Sequence, residues 1–399
     1  MKTSIDLYQH PLLISILFAI TGLTVVGQIY LPIPIFSEIS RQFNVSQSLA
    51  GWVSSAFSIG YSAGFLLSGP LSDRFGRKRI MLAGFIFFIG LTVLVGLQKT
   101  FWQLLLFRSL QGLAASSYPP IILAYLNEKL SPPSRGRAIS FMSLGFLTAS
   151  IISQLYSIEL QHLGIGIIEY TLIPIYCASL ILIFYVIEDE NKTEKNKNTL
   201  LGIYKKIPAL LFDKNLKWLY ASTLCTLSAL VAFYILLDEN YGLRFASVHI
   251  SPLMTRLIAL PAMFLSLLAP LITSRIGSIA LVKWSFTIAS IGLLLSSVAV
   301  LYGNEWDLLY TSVIFIGGRA FSVPSLVGAI GDIADKSYKG TAISLYTFIL
   351  FLGASLGPLL AHVLMYFSYS YSLIILALLA GLPAVLTMFI QDSKSIYSH

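Results

Sequence analysis

Apolar residues run for about twenty positions at a time along this chain, and short polar breaks separate the runs. The runs fall at approximately 11–36, 48–71, 80–98, 101–126, 137–158 and 165–187, and again at 216–238, 251–272, 279–302, 308–331, 340–366 and 369–390. A helix rising ~1.5 Å per residue needs ~20 residues to cross a hydrocarbon core of ~30 Å, so each run reads as a transmembrane helix. The strict apolar–polar alternation of an outer-membrane barrel strand does not occur in them. The first run is too long for the core of a signal peptide and no small-residue cleavage pattern follows it, so it reads as the first span. One long polar stretch, Glu188 to Lys217, divides the pattern. The expected organisation is an N-terminal six-helix bundle (1–187), a cytoplasmic linker (188–215) and a C-terminal six-helix bundle (216–399). The expected fold is an all-α integral membrane protein with twelve transmembrane helices in two pseudo-symmetric bundles.

Composition narrows the class further. Of 399 residues 56% are hydrophobic and 11% are charged, against about 25% charged in a soluble domain. The net charge of +8 is a statement about topology rather than nucleic acid, because the basic residues are segregated. Arg74, Arg77, Lys78, Arg79, Lys129, Arg135, Arg137, the linker lysines and the bases after spans eight and ten all fall on one side. Only Arg41, Lys99 and Arg244 fall on the other, while Arg108, Arg256 and Arg319 lie inside spans. The bias places both termini and the linker in the cytoplasm. The chain is expected in a cytoplasmic (inner) membrane, as a monomer in the lipid bilayer. Cys177 and Cys225 sit in apolar runs with no metal-ligand spacing and read as packed residues. No metal or other cofactor is expected. No nucleophile–base cluster, phosphate loop or metal constellation marks an enzyme.

The two halves repeat. GRAIS at 136–140 opens the fifth span and GTAIS at 340–344 opens the eleventh. Arg74 closes the second span and Arg275 the eighth; Arg108 lies in the fourth and Arg319 in the tenth. Duplicated halves of this kind place a substrate site near mid-membrane, where one half can rock against the other.

The most specific local signal is GPLSDRFGRKR at 69–79, between spans two and three. A positive-inside anchor needs bases alone. An acid at Asp73 framed by Gly69, Gly76, Arg74, Arg77 and Lys78 reads instead as a gating charge network. The stretch resembles the signature loop of the major facilitator superfamily. RSLQG at 108–112 is similar to that family's fourth-span pattern, and Tyr30-Leu31-Pro32, AYLNE at 124–128 and RGRA at 135–138 resemble its twelve-span drug:proton antiporter branch. The sequence departs from that branch in two places. Span five, at Gly145, lacks the Gly-x-x-x-Gly-Pro run, which stands instead at Gly353–Pro358 in span eleven; and Gln28 stands where many drug exporters have an Asp.

The resemblance implies a cavity lined by spans one, four, seven and ten. The residues on those spans that carry chemistry are Thr24 and Gln28; Arg108, Gln111 and Tyr118; Tyr234; and Arg319. Interhelical hydrogen bonding is the competing reading of the hydroxyls. A buried arginine is expensive, so Arg108 is expected either to contact the substrate or to hold a proton-linked acid from a neighbouring span. No Asp or Glu is expected at mid-depth; Glu169 reads as a residue near the outer end of span six. Asp238 and, as an alternative, His362 are the candidate proton carriers. The expectation is a secondary transporter exporting a small organic molecule (a drug, a siderophore-like compound or an anionic metabolite), coupled to protons. A metabolite importer or exchanger of the same fold is the runner-up, and a receptor or membrane enzyme the reading from another class.

Overall fold

A computed structural model of the chain describes residues 11–188, 200–247, 251–303 and 305–390. Both termini and residues 189–199 of the expected linker therefore lie outside the described residues. Among those described, every regular element is helical.

The first half contains α1 (Pro11–Gly27), α2 (Phe36–Phe43), α3 (Gln47–Ala50), α4 (Trp52–Phe75), α5 (Arg77–Leu97), α6 (Phe101–Ala115), α7 (Pro119–Lys129), α8 (Pro132–Glu159) and α9 (Gly164–Val186). After α10 (Leu200–Leu211) come α11 (Leu216–Ser247), α12 (Pro252–Met263), α13 (Ala269–Ile276), α14 (Ser278–Tyr302), α15 (Glu305–Ile333), α16 (Lys339–Leu364) and α17 (Tyr369–Leu386). Nine helical segments among the described residues are long and apolar enough to cross a membrane. The shorter α1, the long α4 and the α6–α7 pair account for the other three expected spans.

Three spans are shorter or more broken than the apolar pattern predicts, each near proline; in the eighth, a 3-10 segment at Phe264–Leu268 joins α12 to α13 between Pro261 and Pro270. The first span is helical only to Gly27; a turn and a 3-10 segment at Ile33–Ile35 follow, where Pro32 and Pro34 lack the amide a helix needs. The fourth span breaks at Ser116–Tyr118, because Pro119 and Pro120 have no amide to donate back to the preceding turn and instead open a new helix. Tyr118 turns inward at that break and donates from its hydroxyl to the Phe18 carbonyl of α1 at 2.8 Å.

The chain divides into two compact units: Met1–Lys206 with Asp335–Phe348, and Ile207–Ala334 with Ile349–His399. The start of α16, within the expected C-terminal bundle, thus groups with the first unit. In that unit α4 and α6 touch backbone to backbone. A Cβ at Gly60 would collide with the Ser109 carbonyl, and one at Gly112 with the Phe57 carbonyl. Such small-residue contacts let apolar helices approach closely where lipid leaves no hydrophobic drive between them. In the second unit Gly318 of α15 lies against the backbone of Ser285 and Ala289 on α14 in the same manner. The turns after α4 and α13 share another feature: Gly76 has φ +95° and Gly277 φ +85°, a region that penalises any Cβ. The sequence repeat thus reappears as the same backbone turn in each half.

Candidate functional site

Arg108 is the centre of a closed polar cluster in the first unit. Helix α6 carries Arg108 and Gln111 one turn apart on one face, and Arg108 Nη1 donates to Gln111 Oε1 at 2.8 Å. Helix α1 ends at Gly27, which leaves the Gln28 carbonyl beyond the helical ladder; Arg108 Nη2 donates to it at 2.5 Å, and Nη1 donates to Gln28 Oε1 at 2.5 Å. The guanidinium stacks over the Phe57 ring of α4, 4.6 Å from its centroid. Its counter-charge is Glu169, in the second turn of α9: Nη1 to Oε1 is 2.9 Å, and both side chains are 0% exposed.

Glu169 is held by more than the arginine. Its Oε2 accepts from Gln28 Nε2 and from Gln111 Nε2, each at 3.1 Å. Gln28 Nε2 also lies 2.7 Å from the Tyr176 hydroxyl, and Gln111 Nε2 donates to Thr92 Oγ1 of α5 at 2.9 Å. Glu169, read from the sequence as a residue near the outer end of span six, is thus the acid from a neighbouring span that meets Arg108. Glu169 is fully buried inside the first unit, because α9 turns that face toward α5 and α6 rather than outward. Tyr176, two turns along the same helix face, and Thr92 are the other members that the sequence reading missed. The available signal was one acid in an otherwise uncharged span, with a tyrosine seven positions on.

The other expected site residues are dispersed. Thr24 is half-buried and donates to the Thr21 carbonyl of its own helix, while Tyr118 closes the α6–α7 break. Asp238 on α11 accepts from Arg256 Nη2 of α12 at 3.4 Å, and the Arg256 guanidinium lies 5.3 Å from the Tyr234 ring centre. That pair is partly exposed, 30% for Asp238 and 23% for Arg256. His362 is exposed on α16, its ring 6.0 Å from that of Tyr366. Arg319 is buried in the second unit, over the rings of Phe286 and Phe315.

The 69–79 loop forms a second polar cluster, wholly within the first unit. Asp73 pairs with Arg77 Nη1 at 2.6 Å and accepts from both the Thr341 amide and the Thr341 hydroxyl, at 2.7 and 2.6 Å. Arg77 also donates to Ser72 Oγ at 2.6 Å and, through Nη2, to Glu128 at 2.7 Å. Gly69 lies against Ser344, and Gly340 against Asp73 and Arg77, so a Cβ at either glycine would collide. Arg74 lies beside the Phe75 ring, and Lys78 lies over the Phe184 ring. The carboxylate therefore ties the end of α4 to the first turn of α16.

The family model described as Major Facilitator Superfamily matches residues 17–289. An uncharacterized transporter of Buchnera aphidicola subsp. Schizaphis graminum is 25% identical over 335 residues, 81% of this chain and 77% of that protein. A Bacillus subtilis protein named multidrug resistance protein 3 is 29% identical over 147 residues, 37% of this chain and 29% of that protein. The crystal structure of a human organic anion transporter superposes with a TM-score of 0.78 over 95% of this chain and 99% of that one, at 15% identity, a likeness of fold.

Proposed function

Since this chain belongs to the Major Facilitator Superfamily, we propose that it is a secondary active transporter of the cytoplasmic membrane that exports a small organic molecule in exchange for protons. The observation that carries this reading is the buried Arg108–Glu169 pair with its ring of neutral ligands. As an ion pair the cluster is neutral, and neutrality is what makes it tolerable away from water. A proton on Glu169 would leave Arg108 with glutamine oxygens only and a net charge of +1 in the interior. That state is stable only where the cluster meets water, so proton loading and release are tied to opening toward one side or the other. The neutral Gln28 and Gln111 amides hold the carboxylate in place through both protonation states.

The Asp73–Thr341 tie serves as the latch in this scheme. It fixes the first turn of α16, a helix that runs on from the first unit into the second. Export rather than import is supported by the loop patterns and by the printed name of the Bacillus relative. Asp238, paired with Arg256 and partly exposed, is the other carboxylate that could carry the proton.

Inside-out vesicles given an acid-inside gradient and a metabolite panel test the reading. The wild type should accumulate its substrate as protons leave. Glu169→Gln should retain substrate counterflow but ignore the gradient, while Asp238→Asn should still follow it. Wild-type accumulation by Glu169→Gln would overturn the assignment, and loss of coupling in Asp238→Asn alone would move it to the Asp238 pair.

A further inference from the structure

Each half of the chain buries one arginine on its fourth span, and the two are neutralised differently. Arg108 in the first unit has a carboxylate, two glutamine oxygens and a backbone carbonyl. Arg319 in the second unit is equally buried, at 2% exposure, yet Nε, Nη1 and Nη2 all lack a hydrogen-bond partner. No carboxylate pairs with it among the described residues. What surrounds it is aromatic: its guanidinium carbon lies 4.8 Å from the centre of Phe286 on α14 and 5.3 Å from that of Phe315 on α15. The residue three positions on, Gln111 in the first unit, is Ser322 here, and its hydroxyl is spent on the Arg319 carbonyl at 2.7 Å. Cys225 of α11, within electrostatic reach, brings no formal charge as a thiol.

The aromatic faces position the guanidinium and stabilise it in part, through cation–π contact. Taking an arginine out of water is strongly opposed by the loss of its hydration, and five N–H donors remain to be satisfied. Two rings cannot accept five hydrogen bonds. A rigid, planar fork of donors held over two aromatic rings matches the bidentate geometry of a carboxylate, phosphate or sulfate group.

We propose that Arg319 is an anion-binding residue: it takes a small oxyanion group, bidentate, on the guanidinium donors that have no partner. That group is either the acidic end of the transported molecule or a resident inorganic anion. In the first case this inference rests on the transporter reading and names its substrate class as acidic. In the second it stands alone.

The test is binding to the purified full-length protein in detergent, with no transport required. Thermal unfolding is followed against sulfate, phosphate, chloride and benzoate at matched ionic strength. Wild type should show a saturable, anion-selective rise in Tm of about 5 °C. Arg319→Gln should lose the rise while unfolding, without anion, at or above the wild-type temperature, because an uncompensated charge has been removed. Arg319→Lys keeps the charge but not the fork and should respond with an apparent affinity about tenfold weaker. A response led by benzoate assigns the site to an organic acid, and one confined to inorganic anions assigns it to a resident ion. Absence of a selective rise in wild type, or its survival in Arg319→Gln, overturns the proposal. Selective binding in a protein that shows no proton-driven flux would leave this site standing and sink the transport reading instead.

Discussion

Breaking the Arg108–Glu169 pair from one side should be far more damaging than removing it whole. Both side chains are 0% exposed and 2.9 Å apart, so neither can recover hydration when its partner is lost. Removing one member of a buried pair typically destabilises by ~3–5 kcal/mol. Glu169→Gln should fall at the low end of that range, because Arg108 keeps Gln28 Oε1, the Gln28 carbonyl and Gln111 Oε1 as acceptors. Arg108→Met should fall at the high end: Glu169 then keeps only the two amide donors at 3.1 Å. The double variant leaves a neutral, similarly filled interior, and should recover to within ~1–2 kcal/mol of wild type. The coupling energy from the cycle should therefore be at least ~3 kcal/mol, above the ~0.5 kcal/mol expected of sites that do not interact. The assay is unfolding of the three variants and wild type in detergent, by heat or by denaturant titration. Additive losses, with the double variant as unstable as the sum of the singles, would refute the pairing and with it the neutral-cluster argument for proton coupling.

Other expectations follow from the same geometry. Asp73→Asn keeps an oxygen for Thr341 but loses the charge that binds Arg77. Charged hydrogen bonds contribute ~1.5–3 kcal/mol, so turnover should change by about tenfold or more with substrate binding largely unchanged; a wild-type rate would reduce the loop to a topology anchor. Arg108→Lys should impair transport, since one ammonium cannot reach the Gln28 carbonyl, Gln111 and Glu169 with the geometry of the fork, and normal flux in that variant would argue against the cluster's role. Gly76→Ala should destabilise by ~1–2 kcal/mol through its φ of +95°, read as a drop in Tm with no change in substrate specificity. A cysteine replacing Lys195 should resist an impermeant thiol reagent applied outside intact cells, and outside labelling would reverse the assigned orientation.

The helical membrane class and the number of spans were legible in the sequence because a span needs only length and apolarity, and both are properties of consecutive residues. The repeat was legible for a related reason: Gly76 and Gly277 mark the same positive-φ turn in each half, and a backbone that only glycine tolerates leaves its mark on the chain. The motif 69–79 announced a charge network, and its acid, base and glycines meet as a cluster. Its partners were not announced, because Thr341 is 268 positions away and nothing local to Asp73 specifies it. Proline broke the first and fourth spans where hydropathy alone saw continuity, since an apolar window does not register a missing amide.

What the tertiary structure alone decided is which charge answers which. Arg108 and Arg319 read alike in sequence, each an arginine inside a fourth span. Only the rotation of α9 about its axis brings Glu169 to Arg108. The facing surfaces of α14 and α15 offer Arg319 two phenyl rings and no carboxylate. Burial of a charge is a property of the space between helices, and that space is filled by residues the chain order does not make neighbours.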